Sequence, residues 1–260
     1  MSKLNTESNA TQWQAESIRL TAFIIDGTYD PKKWWNIVAG QLPETEQSNR
    51  NVGLTQMSGT VFDGTYNLTL AILPGRADWI ISTLPPSTPE AIRSPSETIG
   101  FHTIGNFENI LYRFKQLLTP WVETTPNVSR LAFGAVLFLP VQNKEEGYVK
   151  ISRLLPFIKL DPKGSSEFSY SINRPRKSKI VFDMSINRLS RWAVVQLRPL
   201  MFTMTGVVTQ LQQAPEFYGC RLEFDVNTQA DRQGVLENMP TVIDELIEVG
   251  KELAAVGDVP

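Results

Sequence analysis

The chain of 260 residues holds one cysteine, Cys220, and one histidine, His102. An internal disulfide, a CxxC redox pair, a zinc site built on histidine and cysteine, and any mechanism needing two histidines are excluded by that count. Glycine-rich phosphate loops of the GxxxxGK[ST] or GxGxxG type are missing, as is a GxSxG nucleophile elbow. A nucleotide site of the usual kind and an α/β-hydrolase triad are therefore not expected, and the sequence implies no cofactor. No apolar run approaches the roughly 20 residues that span a bilayer, and the opening MSKLNTESNATQWQAES is polar where a secretory signal is apolar. The expectation is a cytoplasmic chain without membrane contact. Excess charge is lacking too: the formal net charge is -2, which argues against a strongly basic nucleic-acid protein.

That near-zero charge conceals a segregation. Residues 144–198 carry twelve Lys or Arg against five Asp or Glu, whereas residues 200–260 carry three against ten. Four of the cations, Arg174, Arg176, Lys177 and Lys179, fall within six positions in SINRPRKSKIVF (171–182). Alternation in EFSYSI and KIVFDMSI predicts two strands with one apolar face each, which leaves 173–178 as a charged hairpin loop. It reads either as a solvated turn that protects a sheet edge or as a basic finger for nucleic acid.

The remaining pattern predicts an α+β protein with antiparallel sheet, about three main helices and two similar strand-helix-strands halves. Residues 1–16 read as a loose arm and 17–84 as a first section. A Pro/Ser-rich linker is expected at 85–96, and 97–260 forms a larger section packed on the first. Strands are expected at 17–26, 52–62, 66–73, 78–84, 97–104, 128–141, 191–197 and 218–226. Asp30 followed by Pro31 marks a helix start, with Trp34, Trp35, Val38 and Leu42 on one side of the helix. Asn106 caps a helix over 107–119 that Pro120 ends or kinks. A last helix over 240–255 turns Asp244, Glu245, Glu248 and Glu252 to solvent. Cys220 alternates with Glu223 and Asp225 on strand 218–226 and faces the core.

Few residues offer chemistry. His102 lies in GFHTIG without a nucleophile beside it. Glu223 and Asp225 share a strand face and form a weak candidate for a Mg²⁺ site, because hard oxygen ligands suit that ion; such a site would make the chain a Mg²⁺-dependent hydrolase. Trp34 and Trp35 are adjacent on one helix turn beside Lys32 and Lys33; core packing is the leading reading, and the alternative is one exposed ring that serves a protein interface or base stacking.

The apolar strand NVSRLAFGAVLF (127–138) and the ending CRLEFDVNTQADRQGVLENMPTVIDELIEVGKEL (220–253) resemble a sporadically distributed, functionally uncharacterised family of bacterial proteins of about 260 residues. That resemblance implies an α+β fold, no known activity, and an accessory role in mobile or defence-associated operons. The leading expectation is a non-enzymatic interaction protein with a protein partner. The rival is a nucleic-acid-binding component using Arg174, Arg176, Lys177 and Lys179. The oligomeric state is left open.

Overall fold

The computed structural model describes residues 12–25, 29–84, 101–124, 127–198, 200–205, 208–213, 216–230 and 234–259, with the backbone only for 200–205 and 208–213. The expected linker 85–96 lies outside them, as do residues 1–11 of the expected arm. Strand β1 (Gln14–Ile24) is followed by helix α1 (Pro31–Ala39) and a meander of β2 (Thr45–Asn49), β3 (Leu54–Val61), β4 (Tyr66–Leu73) and β5 (Arg76–Ser82). A short β6 (Gly105–Asn106) leads into α2 (Phe107–Thr124) and then β7 (Val128–Val141). There follow α3 (Lys144–Leu154), β8 (Ser169–Asn173), β9 (Arg176–Lys177) and β10 (Ser185–Leu197). The hairpin β11 (Leu200–Thr205) and β12 (Val208–Gln213) separates β10 from β13 (Phe217–Thr228), and α4 (Met239–Val256) follows.

The fold is α+β. One antiparallel sheet has the order β2-β3-β4-β5-β1-β7-β13-β10-β8, so β1 joins the first meander through β5 and the rest of the sheet through β7. On each side of the β1–β7 seam the chain runs strand, helix, meander, helix. The meander's last strand, β5 or β13, returns beside the first strand of its half. The halves are thus similar in topology, but the second starts at β7 and not at 97–104. Residues 101–104 form no strand, because β5 already occupies that edge of β1 from Ser17 onward and only Gln14 and Ala15 remain for β6.

Local chemistry sets the helix ends. The Asp30 carboxylate accepts from the Lys32 and Lys33 amides, and Gly40 closes α1 at φ 66°. That left-handed stop sends Leu42 out to 85% exposure instead of onto the inner side of the helix. Asn106 Oδ1 accepts from Asn109 N. Pro120 does not end α2, which runs on to Thr124, because Pro120 lies on the solvent side while Leu118 and Trp121 anchor both flanking turns in the core. Helix α3 was not expected from the sequence, although Asn143 accepts from Glu146 N while Glu146 accepts from Gln142 N, a capping-box variant.

All helix packing falls on one sheet face. Ile18, Leu20, Ala22 and Ile24 of β1, Leu131, Phe133 and Leu137 of β7, and Leu222, Phe224 and Val226 of β13 point there and are buried. All six tryptophans belong to this core, each at 5% exposure or less. Trp35 stacks on Trp79, and Trp34 and Trp79 each meet the Trp121 edge at under 6 Å. At about 200 Å² and 25 cal/mol per Å², each buried indole contributes about 5 kcal/mol of transfer free energy. The leading reading of Trp34 and Trp35 as core residues therefore holds, and the alternative of one exposed ring serving a partner or nucleic acid is corrected. Both lie inside, because α1 is wedged between the sheet and α2, and Gly59 leaves room for the Trp35 ring. Residues 13–16 of the expected loose arm are not loose, since β1 begins at Gln14 and Trp13 is buried, donating from Nε1 to Ala254 O at 2.7 Å.

Candidate interaction surface on the open sheet face

The basic stretch is placed differently from its sequence reading. Arg176 and Lys177 are strand residues paired with Ile186 and Ser185, and the chain reverses over 178–184 instead of 173–178. Acids of the last helix and of the residues just after it explain the shift. Arg174 Nε donates to Asp258 Oδ2 at 2.8 Å, and Arg176 Nη1 donates to Glu252 Oε2 at 2.7 Å. Glu245, expected in solvent, is buried and accepts from Ser178 Oγ and Lys179 N, both at 2.6 Å. Lys177 lies 3.5 Å from Asp183. The two arginines thus sit on the helix-covered side, each with its own carboxylate. The Arg174 guanidinium is held above its ordinary pKa by its hydrogen bond to Asp258.

The opposite sheet face is built differently. Among the described residues no helix covers it, and its side chains are mainly polar. Its centre is a row in direct register across five strands: Ile80, Arg19, Gly134, Asp225 and Leu189. Arg19 on β1 reaches over β7 to Asp225 on β13, where Nη2 to Oδ2 is 2.7 Å. Gly134 makes that reach possible. A Cβ there would stand 3.0 Å from the Phe224 carbonyl, tighter than ordinary packing, and would already touch Arg19 Nη2 at 3.5 Å, so a longer side chain would enter the path of the guanidinium.

The next row sets Ser17, Val136, Glu223, Arg191 and Ser171 side by side. Together the two rows line a shallow depression of about 350 Å³. Below it, Asn227 donates to Asp225 at 2.6 Å and accepts from Arg130 and Asn187. Further out, Arg76 pairs with Asp78, which also accepts from Thr21. Arg221 bridges Glu16 and Glu223. On this face stand Arg19, Arg76, Arg130, Arg191 and Arg221 against Glu16, Asp78, Glu223 and Asp225, a near balance reached residue by residue.

Glu223 and Asp225 do share the open face, but each faces a guanidinium. A cation already occupies the position a metal would need, so the pair does not fit a Mg²⁺ site. Among the described residues no three His, Cys, Asp or Glu side chains come together as metal ligands. His102 is exposed. Cys220 faces the helices at 0% exposure, and burial pushes its thiol up to about 12, which keeps it protonated and poorly nucleophilic. The sequence reading missed Arg19, Gly134 and Arg191. A lone glycine inside the strand run LAFGAVLF was the available signal, since such a glycine marks a close approach.

No family model matches the sequence, and neither a curated protein nor a solved structure matches it.

Proposed function

We propose that this protein is a non-enzymatic cytoplasmic subunit or accessory factor that binds a protein partner through the open face of its sheet. The bacterial, defence-associated setting implied by the family resemblance belongs to the same proposal. The observation that carries it is the combination of extent and charge balance. Nine strands of five to fourteen residues, about 4.8 Å apart and about 30 Å long on average, give a face of about 1,300 Å², room enough for the roughly 800 Å² per partner of a specific complex. Its charges are matched in place by Arg19–Asp225, Arg76–Asp78 and Arg221–Glu223, while Ile80 and Leu189 supply apolar contact near the centre. Such a mosaic suits a protein surface of mixed charge. A polyanion is instead gripped by cations left without partners, and Arg174 and Arg176 already have theirs. Among the described residues no helix is long and apolar enough to cross a membrane.

The test compares tagged wild type, the swap Arg191→Glu with Glu223→Arg on the open face, and Lys33→Glu on α1 as control, in a pull-down from the native host. A stoichiometric protein retained by wild type and control but lost with the swap supports the assignment. Equal retention by all three, or an eluate whose 260 nm absorbance disappears on nuclease treatment, refutes it.

A further inference from the structure

The turn that replaces the expected basic loop has an unusual construction. Phe182 at its tip is 96% exposed and Ile180 is 47% exposed. Nothing in the sheet requires an apolar tip, yet the turn is held from several sides. Ser178 Oγ accepts from the Ile180 and Val181 amides at 3.1 and 2.9 Å, and Ser178 N donates to Met184 O at 2.8 Å. The buried carboxylate of Glu245 fixes Ser178 and Lys179 from below. Asp183 adopts φ 61° to complete the reversal. An exposed phenyl ring on a braced turn loses little entropy on docking, which is how aromatic anchors at interfaces work.

The other flank of α4 carries a matching cavity. Between α2 and α4 an apolar cleft of about 130 Å³ has Leu20 and Phe133 as its floor and Phe114, Leu118, Ile243 and Ile247 as its walls. A protein cavity of about 150 Å³ with similar lining accepts benzene, so this cleft is the size of a phenyl ring. Where it meets solvent, its lining carries the acids Asp244 and Glu123 against one cation, Lys115, which pairs with Asp244 at 2.6 Å. The tip carries Lys177 and Lys179 against Asp183. The two surfaces are therefore complementary in size, in apolar character and in sign. They cannot meet within one molecule as folded, since Phe182 remains exposed.

We propose that Phe182 of one copy inserts into the α2–α4 cleft of a second copy, giving head-to-tail self-association. The contact is heterologous: each molecule offers one tip and one cleft, so closure makes a ring and failure to close makes an open chain. It does not depend on the open-face reading, which concerns the other side of the sheet.

Sedimentation velocity on the whole chain up to about 100 μM tests this on a scale suited to a small contact. Wild type is expected to associate with concentration. Phe182→Ala removes a fully exposed ring and leaves the fold intact, and Val122→Trp plugs the cleft with its melting curve as the folding check. Each should weaken association by about tenfold to a hundredfold, the worth of burying one phenyl ring. Glu123→Lys, on the exposed rim, gives a second cleft variant and should weaken it by about twofold to fivefold. Mixing Phe182→Ala with Val122→Trp restores one intact tip and one intact cleft, so a one-to-one dimer and nothing larger is expected. A monomeric wild type, association unchanged by Phe182→Ala, or association lost with Phe182→Ala but kept by both cleft variants, would each overturn the assignment.

Discussion

Gly257→Ala measures how firmly the end of α4 is tied to the basic strand. Gly257 closes the helix at φ 83° and ψ -168°, a region almost closed to other residues, and strain there costs about 1–3 kcal/mol. A Cβ would also stand 1.9 Å from the Leu154 carbonyl oxygen. That atom is backbone and cannot rotate aside, so the segment after the helix must move. Moving it breaks the Asp258 N–H bond to Leu154 O at 3.1 Å, about 1 kcal/mol, and withdraws the fully buried Asp258 carboxylate from Arg174. With about 1 kcal/mol for that ion pair, the sum is about 3–5 kcal/mol. Gly40→Ala supplies the control: φ is 66° but nothing lies within 4 Å, so only left-handed strain of about 1–2 kcal/mol applies. In urea, with a slope of about 3 kcal/mol per M for a chain of this size, the midpoint should fall by about 1–1.5 M for Gly257→Ala and about 0.5 M for Gly40→Ala. Tryptophan fluorescence reports directly, because Trp13 is bonded to Ala254 in the last turns of α4. Equal shifts for the two variants would show that the Leu154 contact and the Asp258 tie do not constrain the chain, and the reasoning would fail.

Cys220 should resist a disulfide reagent in the native state. With its thiol near 12, only about one molecule in ten thousand is thiolate at pH 8, and rapid labelling of native protein would place Cys220 outside the core. A folded pKa above the ordinary value of about 8.5 stabilises the fold fully below that pH, and the contribution fades as pH rises toward 12. Wild type should therefore lose stability relative to Cys220→Ala over that alkaline window, as followed by urea unfolding. Arg176 and Glu252 have side chains 22% and 44% exposed, so their pair is worth at most about 1 kcal/mol. A double-mutant cycle with Arg176→Glu and Glu252→Arg should recover about 0.5–1 kcal/mol in dilute buffer and almost nothing in 1 M salt; coupling that persists in high salt would contradict the exposure of the pair.

The sequence foretold local order better than pairing. β7 spans the expected 128–141 because eleven of its fourteen residues, LAFGAVLFLPV, read as a continuous apolar run. Asp30-Pro31 marked the start of α1 by backbone preferences that act over a few residues, whereas the expected helix ran on past Gly40 to Leu42. What else failed depended on distant partners. The alternation in KIVFDMSI predicted a strand through Ile180 and Phe182, and Met184 and Ile186 do obey it. The turn nonetheless slid along the chain, because Glu245 and Glu252 lie almost seventy residues or more away and bind Ser178 and Arg176. A one-residue pattern cannot distinguish a cation waiting for solvent from one waiting for a helix that follows much later. The tryptophans show the same limit, since Trp34 found cover only once α2 brought Trp121 against it.

The same reasoning explains why the open face escaped notice while the basic stretch drew attention. Clustering along the chain concentrates charge where the eye finds it, but folding placed Arg176 opposite Glu252 of α4 and Arg174 opposite Asp258 just beyond its end. Arg19, Gly134 and Asp225 lie 91 or more residues apart along the chain and become neighbours only through the registers of β1, β7 and β13. In an antiparallel sheet, side chains in register stand about 5 Å apart on one face, so an arginine bridging two strand spacings needs a small residue between its ends. That requirement ties Gly134 to the pair it separates. Gly134→Ala should therefore be felt at the Phe224 carbonyl, 3.0 Å from the new Cβ, with or without the pair, whereas Gly134→Leu, whose longer side chain enters the guanidinium's path, should be better tolerated in urea unfolding once Arg19 and Asp225 are both replaced by apolar residues.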